Sequence, residues 1–235
     1  MGAYLIMWSL MALLFKAGIK KATDMNRFIL FSLLCALFLA GCSEPEKPTI
    51  SLNLAIERGD INQIERHIQW RSDINRANSE GETPLHLAVS QGSYIIVKLL
   101  VNNGANINVL DKVGNSALTR AVLGGHTQIT EYLITQGAEH DPTQLLHHAI
   151  SAGVTDREII PLLVKHGAQI DAQNSAGQTP LTAAISKNNR VQVKLLIQSG
   201  ADVRLANGAN LTPLSIAQKL GNGDIVRLLQ LNGAE

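Results

Sequence analysis

The densest group of chemically active side chains in this sequence is histidine-rich: His140, Asp141, His147 and His148. Two imidazoles and a carboxylate are a possible ligand set for zinc. The sequence has no G-x-S-x-G elbow, no H-E-x-x-H pair and no phosphate-binding G-x-x-x-x-G-K-[ST] loop that would supply the rest of a catalytic site. We therefore predict no catalytic residue, no metal and no cofactor. A zinc enzyme built on His140, His147 and His148 is the weakest of three hypotheses.

Cys42 is the other position whose sequence context indicates chemistry. The only other cysteine is Cys35, so nothing after Cys42 can form a disulfide or supply a thiolate to a metal. Met25-Asn26-Arg27 is followed by a nearly unbroken apolar run over residues 28–40, which Gly41-Cys42 closes. A run of about a dozen apolar residues suits a secretory signal better than a membrane span. An uncleaved apolar anchor is the alternative.

The tetrapeptide Leu39-Ala40-Gly41-Cys42 resembles the bacterial lipobox. This resemblance implies that residues 25–41 are a signal peptide, cut off before Cys42, and that Cys42 is acylated. Because Ser43 rather than Asp follows, it also implies attachment to the periplasmic face of the outer membrane. Residues 42–49 then form a polar, proline-bearing tether.

Residues 1–24 contain a second apolar stretch and three lysines ahead of that complete signal. They are either a wrongly assigned start or a real upstream start. In the second case, the longer product is exported poorly and leaves a cytosolic pool.

A repeat fills the rest of the chain, residues 50–235. The alanines Ala55, Ala88, Ala121, Ala149, Ala184 and Ala217 recur at spacings of 33, 33, 28, 35 and 33 residues. Gly81-Glu82-Thr83-Pro84-Leu85-His86-Leu87-Ala88 is echoed by Thr179-Pro180-Leu181 and Thr212-Pro213-Leu214. Thr before Pro is typical of a helix start, and glycines such as Gly104 and Gly137 suit the left-handed residue after a helix.

These motifs and this period resemble the ankyrin repeat. The resemblance implies an all-α solenoid of about six helix-turn-helix repeats with short projecting β-turns, in which stacking buries the apolar faces. It also implies that His147 is structural, since it aligns with His86. In the first repeat Arg66, His67 and Arg71 replace Leu, Leu and Gly, which predicts a polar N-terminal cap.

The spacing also predicts an irregular middle. The junction at Gly137 to Pro142 is five residues short, so a turn cannot fully form there. The missing turn at Asp141-Pro142 leaves a notch, which either admits a loop of the partner or has no role. The fourth repeat has two extra residues between its helices, near Gly153 to Glu158.

Ankyrin-like arrays bind proteins through their turn tips and the exposed side of their first helices, and this implies a set of contact residues. The tips are Asn78, Ser79, Asp111, Lys112, Asn174, Ser175, Asn207 and Gly208; the helix positions are Ser90, Gln91, Leu123, Lys187 and Asn188. The alternative is that these are merely solvated turns, where Asn, Asp and Gly occur for backbone reasons.

Charge excludes a nucleic-acid partner: from Ser43 onward there are 16 Lys and Arg against 18 Asp and Glu, a net charge of −2. We expect a folded protein partner and a monomer, or a heterodimer with that partner. The layout looks like that of immunity lipoproteins which neutralise lipases delivered by type VI secretion. An envelope scaffold or stress-response adaptor that holds a periplasmic enzyme at the outer membrane is the second hypothesis.

Overall fold

The computed structural model describes residues 46–235, and Lys47–Glu235 form one contact unit. The upstream extension, the signal peptide and Cys42 lie outside the described residues. In the described part of the chain, no helix is both long enough and apolar enough to cross a membrane.

Within residues 46–235 the structure has twelve helices and no β-strand; an isolated antiparallel bridge joins Leu110 and Ser116. The helices are α1 (Leu52–Glu57), α2 (Ile61–Gln69), α3 (Pro84–Ser90), α4 (Tyr94–Asn102), α5 (Ala117–Leu123), α6 (Thr127–Thr135), α7 (Pro142–Ala152), α8 (Ile159–Lys165), α9 (Pro180–Ser186), α10 (Arg190–Gln198), α11 (Pro213–Lys219) and α12 (Gly223–Leu231). Each odd-numbered helix packs against the even-numbered helix that follows it. The predicted all-α ankyrin-type solenoid of six helix pairs is therefore confirmed.

The helices form two layers. The first helices of successive repeats pack side by side, and so do most of the second helices. The periodic alanines lie in the first layer, and none of the six is more than 1% exposed. In the second layer Leu100, Leu133, Leu163, Leu196 and Leu229 are fully buried. Small side chains in one layer and large ones in the other let neighbouring repeats approach closely and share one apolar core.

The Thr-Pro motifs begin first helices as expected. The hydroxyls of Thr179 and Thr212 accept hydrogen bonds from backbone N–H groups in the first turn, and the following proline fits that turn. Asp141 caps α7 in the same way, accepting from the N–H groups of Thr143 and Gln144 at 2.8 and 3.2 Å. The capped ends fix where each first helix starts.

The irregular middle is confirmed. Only Gln136 to Asp141 separate α6 from α7, and no projecting turn forms there. Between α7 and α8 the connection spans residues 153–158, whereas the other helix pairs are joined by three residues. The fully buried Gln192 of α10 fills the space under this connection and donates to the carbonyl oxygens of Ala149 and Val154 at 3.1 and 2.9 Å.

The N-terminal repeat differs from the expected polar cap at one residue. His67 is 9% exposed; its Nε2 lies 2.8 Å from the Ile50 carbonyl oxygen and its Nδ1 lies 2.9 Å from Ser72 Oγ. The imidazole therefore holds the start of the array in place instead of facing solvent. Arg71 does occupy the glycine position, with a left-handed φ of +56°.

Candidate protein-binding face

Four turns project between repeats at the edge of the first-helix layer: turn A (residues 78–82), turn B (111–115), turn C (174–178) and turn D (207–211). Each begins with Asn or Asp, whose side-chain oxygen accepts two backbone N–H groups of its own turn. In turn A, for example, Asn78 Oδ1 accepts from Glu80 and Glu82, both at 2.9 Å. This bonding closes the turn locally, which is why these residue types recur at the first position.

The turns are joined in two pairs. In the first pair the N–H of Lys112 in turn B donates to the Glu80 carbonyl of turn A at 3.1 Å. In the second pair the N–H of Gly208 in turn D donates to the Gly177 carbonyl of turn C at 2.7 Å. A Cβ on Gly208 would lie 3.1 Å from the Gly177 Cα, a tight contact, so glycine at this position favours the close approach of the two turns. The short junction between α6 and α7 separates the two pairs.

Arg120 of α5 ties turns A and B to the first-helix layer. Its guanidinium contacts Asp111 Oδ2 from Nε and Nη2, at 2.9 and 2.6 Å, and Glu82 Oε1 from Nη1 at 2.7 Å. Nη1 also donates to Ser90 Oγ at 3.1 Å. Two carboxylates from different turns therefore share one cation, which fixes the turns relative to each other.

The same contacts set the pKa values of the two carboxyl groups. Burial raises the pKa of Asp111, but hydrogen bonds from the Asn115 N–H, Arg120 and the Val113 N–H outweigh it and hold the pKa below its ordinary value. The hydrogen bond from Asn78, helped by Arg120, lowers the pKa of Glu82. Both groups are therefore ionised near neutral pH, and the network keeps its charges.

His86 connects α3 to turn B. It is 1% exposed; its Nδ1 accepts from the Thr83 N–H at 3.1 Å, and its Nε2 lies 3.2 Å from the Asn115 carbonyl oxygen. Burial lowers the pKa of His86, an effect only partly offset by that carbonyl. The neutral imidazole thus braces the turn, as its place in the Thr-Pro-Leu-His motif suggests.

The predicted contact residues divide by exposure. Asp111 is buried, so its carboxylate is part of the framework and is not exposed to a partner; this corrects its place among the contact residues. Asn78, Asn174, Asn207 and Leu123 are half-buried. The backbone of Gly208 is exposed. The predicted contact residues with exposed side chains are Ser79, Ser90, Gln91, Lys112, Ser175, Lys187 and Asn188.

Three of the exposed residues also have side chains that bond to a neighbouring repeat, and one of them is Ser90, whose Oγ accepts from Arg120 Nη1. Lys187 Nζ donates to the Ser151 carbonyl, and Asn188 Oδ1 accepts from Asn222 Nδ2. Contact with a partner at the exposed positions stays a prediction.

Sequence reasoning missed the exposed apolar residues of turn B and its approach. Leu110 is 59% exposed and Val113 is 83% exposed. The signal was available, because a large apolar residue in the middle of a projecting turn has no core to join. Arg120 was missed because its partners come from two different repeats.

The histidine-rich group is not brought together as a metal site. No set of three or more His, Cys, Asp or Glu side chains among residues 46–235 is arranged to hold a metal ion. His140 is exposed and its Nδ1 lies 2.7 Å from the Ala138 carbonyl oxygen, whereas Asp141 caps a helix. Burial lowers the pKa of the half-buried His147, which lies near the Ala172 backbone.

A family model for ankyrin repeats, describing three copies of the repeat, matches residues 52–144 and again residues 145–235. These matches cover well over half of the sequence, so the chain belongs to the ankyrin-repeat family. Members of this family are typically non-enzymatic modules for protein–protein interaction, and the two turn pairs and the first-helix layer are the surface such a module offers.

Solved structures resemble the chain over most of its length. The ankyrin repeat domain of Bcl-3, of the IκB protein family, has a TM-score of 0.66 and 28% identity, and the match covers 81% of this chain and 89% of that one. A chain from the complex of the predatory endopeptidase Bd0816 of Bdellovibrio bacteriovorus with immunity protein Bd3460 has a TM-score of 0.63 and 28% identity, covering 79% and 99%. An ankyrin repeat domain from Acinetobacter baumannii AYE has a TM-score of 0.62 and 26% identity, covering 78% and 98%.

Among curated proteins, the potassium channel KOR1 of Oryza sativa subsp. japonica is 37% identical over 51 residues. That match covers 22% of this chain but only 6% of the channel, so the chain spans a small part of that relative.

Proposed function

We propose that this chain is a membrane-anchored immunity protein that binds and neutralises a toxic enzyme in the periplasm, specifically a phospholipase delivered by type VI secretion. The observation that carries the proposal is a candidate protein-binding face, with turns fixed by internal hydrogen bonds, in a chain that has a lipobox-like sequence at Cys42. The resemblance to a chain from an endopeptidase–immunity protein complex supports the immunity class. The phospholipase target rests on the similarity of layout to immunity lipoproteins.

The proposed mechanism is occlusion. The exposed side chains of the turns and first helices cover the active-site entrance of the enzyme or the surface by which it docks on the membrane. Because Arg120 and the turn pairs hold this face before a partner arrives, little ordering is needed on binding, which favours affinity.

The lipid on Cys42 supplies the location. Each buried methylene contributes about 0.8 kcal/mol, and several acyl chains together make a stable anchor. An inhibitor held at the periplasmic face of the outer membrane stands beside the phospholipids that a lipase would attack.

A survival assay tests the proposal. A strain lacking this gene should be killed by a toxin-delivering sibling, and the wild-type gene should restore survival. Cys42→Ser should release the protein from the membrane and reduce protection while leaving partner capture by the purified protein intact. Cys35→Ser, inside the predicted signal, is the matched control and should keep attachment.

Affinity capture of the mature protein identifies the target, and release of fatty acid or of peptide then assigns it to phospholipases or peptidases. Unchanged survival with no captured secreted enzyme would remove the immunity proposal. Capture of a housekeeping enzyme without any effect on survival would favour the envelope adaptor.

A further inference from the structure

The short junction between α6 and α7 leaves a notch of about 290 Å³ between turn B and the fourth repeat. Its lining includes Leu110 and Gly114 from turn B and its approach, Leu118 from α5, Glu139 from the junction, and Leu145 and His148 from α7. The volume is at the lower limit of the roughly 300–1,000 Å³ of typical small-molecule sites. It suits one or two inserted side chains of a larger partner.

The notch interrupts the series of turns that are hydrogen-bonded to one another, which we call the ladder. Turn B donates an N–H to the carbonyl of turn A, and turn D donates one to turn C. Val113 is the third residue of turn B, and its counterpart in turn A is Glu80, whose carbonyl accepts the bond from turn B. Within residues 46–235 no turn follows turn B to continue the ladder, so its outer edge is open to another chain.

The open edge is apolar. Val113 and Leu110 are 83% and 59% exposed, while two other leucines that line the notch, Leu118 and Leu145, are 1% and 5% exposed. Exposed apolar side chains beside a concave site are typical of a protein-binding surface.

The lining of the notch carries two carboxylates. It contains Glu139 and Asp141, the imidazoles of His140 and His148, and no lysine or arginine. Asp141 is partly neutralised by the N-terminal N–H groups of α7, whereas Glu139 forms no ion pair within the described residues. A partner that fits this lining carries a basic side chain opposite Glu139.

We propose that the notch receives an exposed turn of the folded partner, which takes the place of the missing turn of the array. An apolar side chain of that turn packs on Leu110 and Val113, and a Lys or Arg beside it faces Glu139. This inference rests on the proposed function in that the partner is a folded protein, and it specifies where that partner inserts and with what chemistry.

The first test uses a peptide probe and needs no identified partner. A backbone-cyclised hairpin with Leu and Lys at its turn is titrated into the full chain, and backbone amide shifts are followed by NMR. We expect shifts at Gly114, Glu139 and His148, and about tenfold weaker binding of a matched peptide with Glu in place of Lys. Glu139→Gln should weaken the Lys peptide about threefold, while Glu57→Gln, far along the chain, should not. Shifts that lie elsewhere, or equal binding of both peptides, would overturn the proposal.

The second test fills the notch from within. Inserting the turn C sequence Asn-Ser-Ala-Gly-Gln between Glu139 and His140 rebuilds the missing turn; the same insertion after Thr155, in the long connection, is the control. Circular dichroism should show wild-type helix content for both. We expect the first insertion to abolish peptide binding and protection, and the second to keep both.

The outcomes separate the two proposals. If the wild-type protein protects and the notch-filled protein protects equally, the notch inference is wrong and immunity stands. If the wild-type protein neither protects nor captures a secreted enzyme, the immunity proposal is wrong, and the peptide titration still decides the notch.

Discussion

The Arg120 guanidinium donates from both Nε and Nη2 to a single oxygen of Asp111, at 2.9 and 2.6 Å. The other oxygen accepts the N–H groups of Val113 and Asn115, both at 2.9 Å, and the Asp111 side chain is fully enclosed. An enclosed carboxylate is stable only while these partners remain. Arg120 therefore supplies the counter-charge on which the enclosed Asp111 of turn B, at the centre of the proposed binding face, depends.

Replacing that arginine should be costly. Arg120→Met leaves Asp111 and Glu82 without their shared cation, and we expect a loss of about 2 kcal/mol in the free energy of unfolding. The loss is smaller than for a fully buried pair because the Arg120 side chain is 20% exposed. Urea denaturation of the purified protein measures it.

Lys165→Met is the matched control for Arg120→Met. It breaks a pair with Glu131 whose side chains are 66% and 48% exposed, so the change should stay within about 0.5 kcal/mol. Equal losses in the two variants would show that the Arg120 network does not stabilise the array.

Stability should fall on mild acidification because of His86. Burial lowers the pKa of His86 below its ordinary value of 6.5, so the unfolded chain binds more protons than the folded chain between the two pKa values. The stabilising contribution of the neutral His86 is complete above about pH 6.5 and is lost as the pH falls through the lowered pKa. Protonation of Nδ1 also breaks the hydrogen bond from the Thr83 N–H.

Urea midpoints at about pH 7.5 and about pH 5.5 measure this dependence. His86→Gln should reduce the difference between the two midpoints without removing it, because the pKa of His147 is lowered by burial too. The double variant with His147→Gln should reduce it further. An unchanged difference in His86→Gln would contradict the assignment.

The fold was predictable from the sequence because each signal is local and repeated. Alanine recurs in all six helix pairs at a period near 33 residues, and threonine before proline begins three of the first helices, so these local signals reinforce each other. The short junction could likewise be found by counting residues between Ala121 and Ala149.

The framework of the binding face could not be predicted, because it joins residues from different repeats. The Asp111 carboxylate could face either solvent or Arg120. The outcome depends on how α5, which carries Arg120, packs against both turns. Similarly, His67 stands in a leucine position, and its burial depends on a bond to Ile50, which precedes the first helix.

The ends of the second helices provide a pair of backbone tests. Gly137 has a φ of +86°, and a Cβ added there would meet no atom within 4 Å, so Gly137→Ala should destabilise by about 1 kcal/mol through conformation alone. Arg71 holds the equivalent position with φ +56°, and Arg71→Gly should be neutral or stabilise by up to about 1 kcal/mol. Thermal unfolding of both variants measures the effects. A loss of stability in Arg71→Gly would show that its side chain, rather than its backbone, matters.

Gln192 provides the last prediction, because it compensates for the long connection between α7 and α8. Its fully buried amide donates to the Ala149 carbonyl, which also accepts from the N–H groups of Gly153 and Val154, and it donates to the Val154 carbonyl. Gln192→Met keeps the volume but removes the donor, so the partly buried Val154 carbonyl loses its partner. The same change removes Gln192 Oε1, which is buried without a hydrogen-bond partner within the described residues, so we expect a net cost of about 1 kcal/mol. Gln198→Met, on the exposed side of α10, should change stability by less than about 0.5 kcal/mol.

Hydrogen exchange distinguishes this local role from a general loss of packing. In Gln192→Met the amides of residues 153–158 should exchange faster, while those of α3 and α4 keep their protection. Uniformly faster exchange across the array would instead mean that Gln192 acts only as core volume.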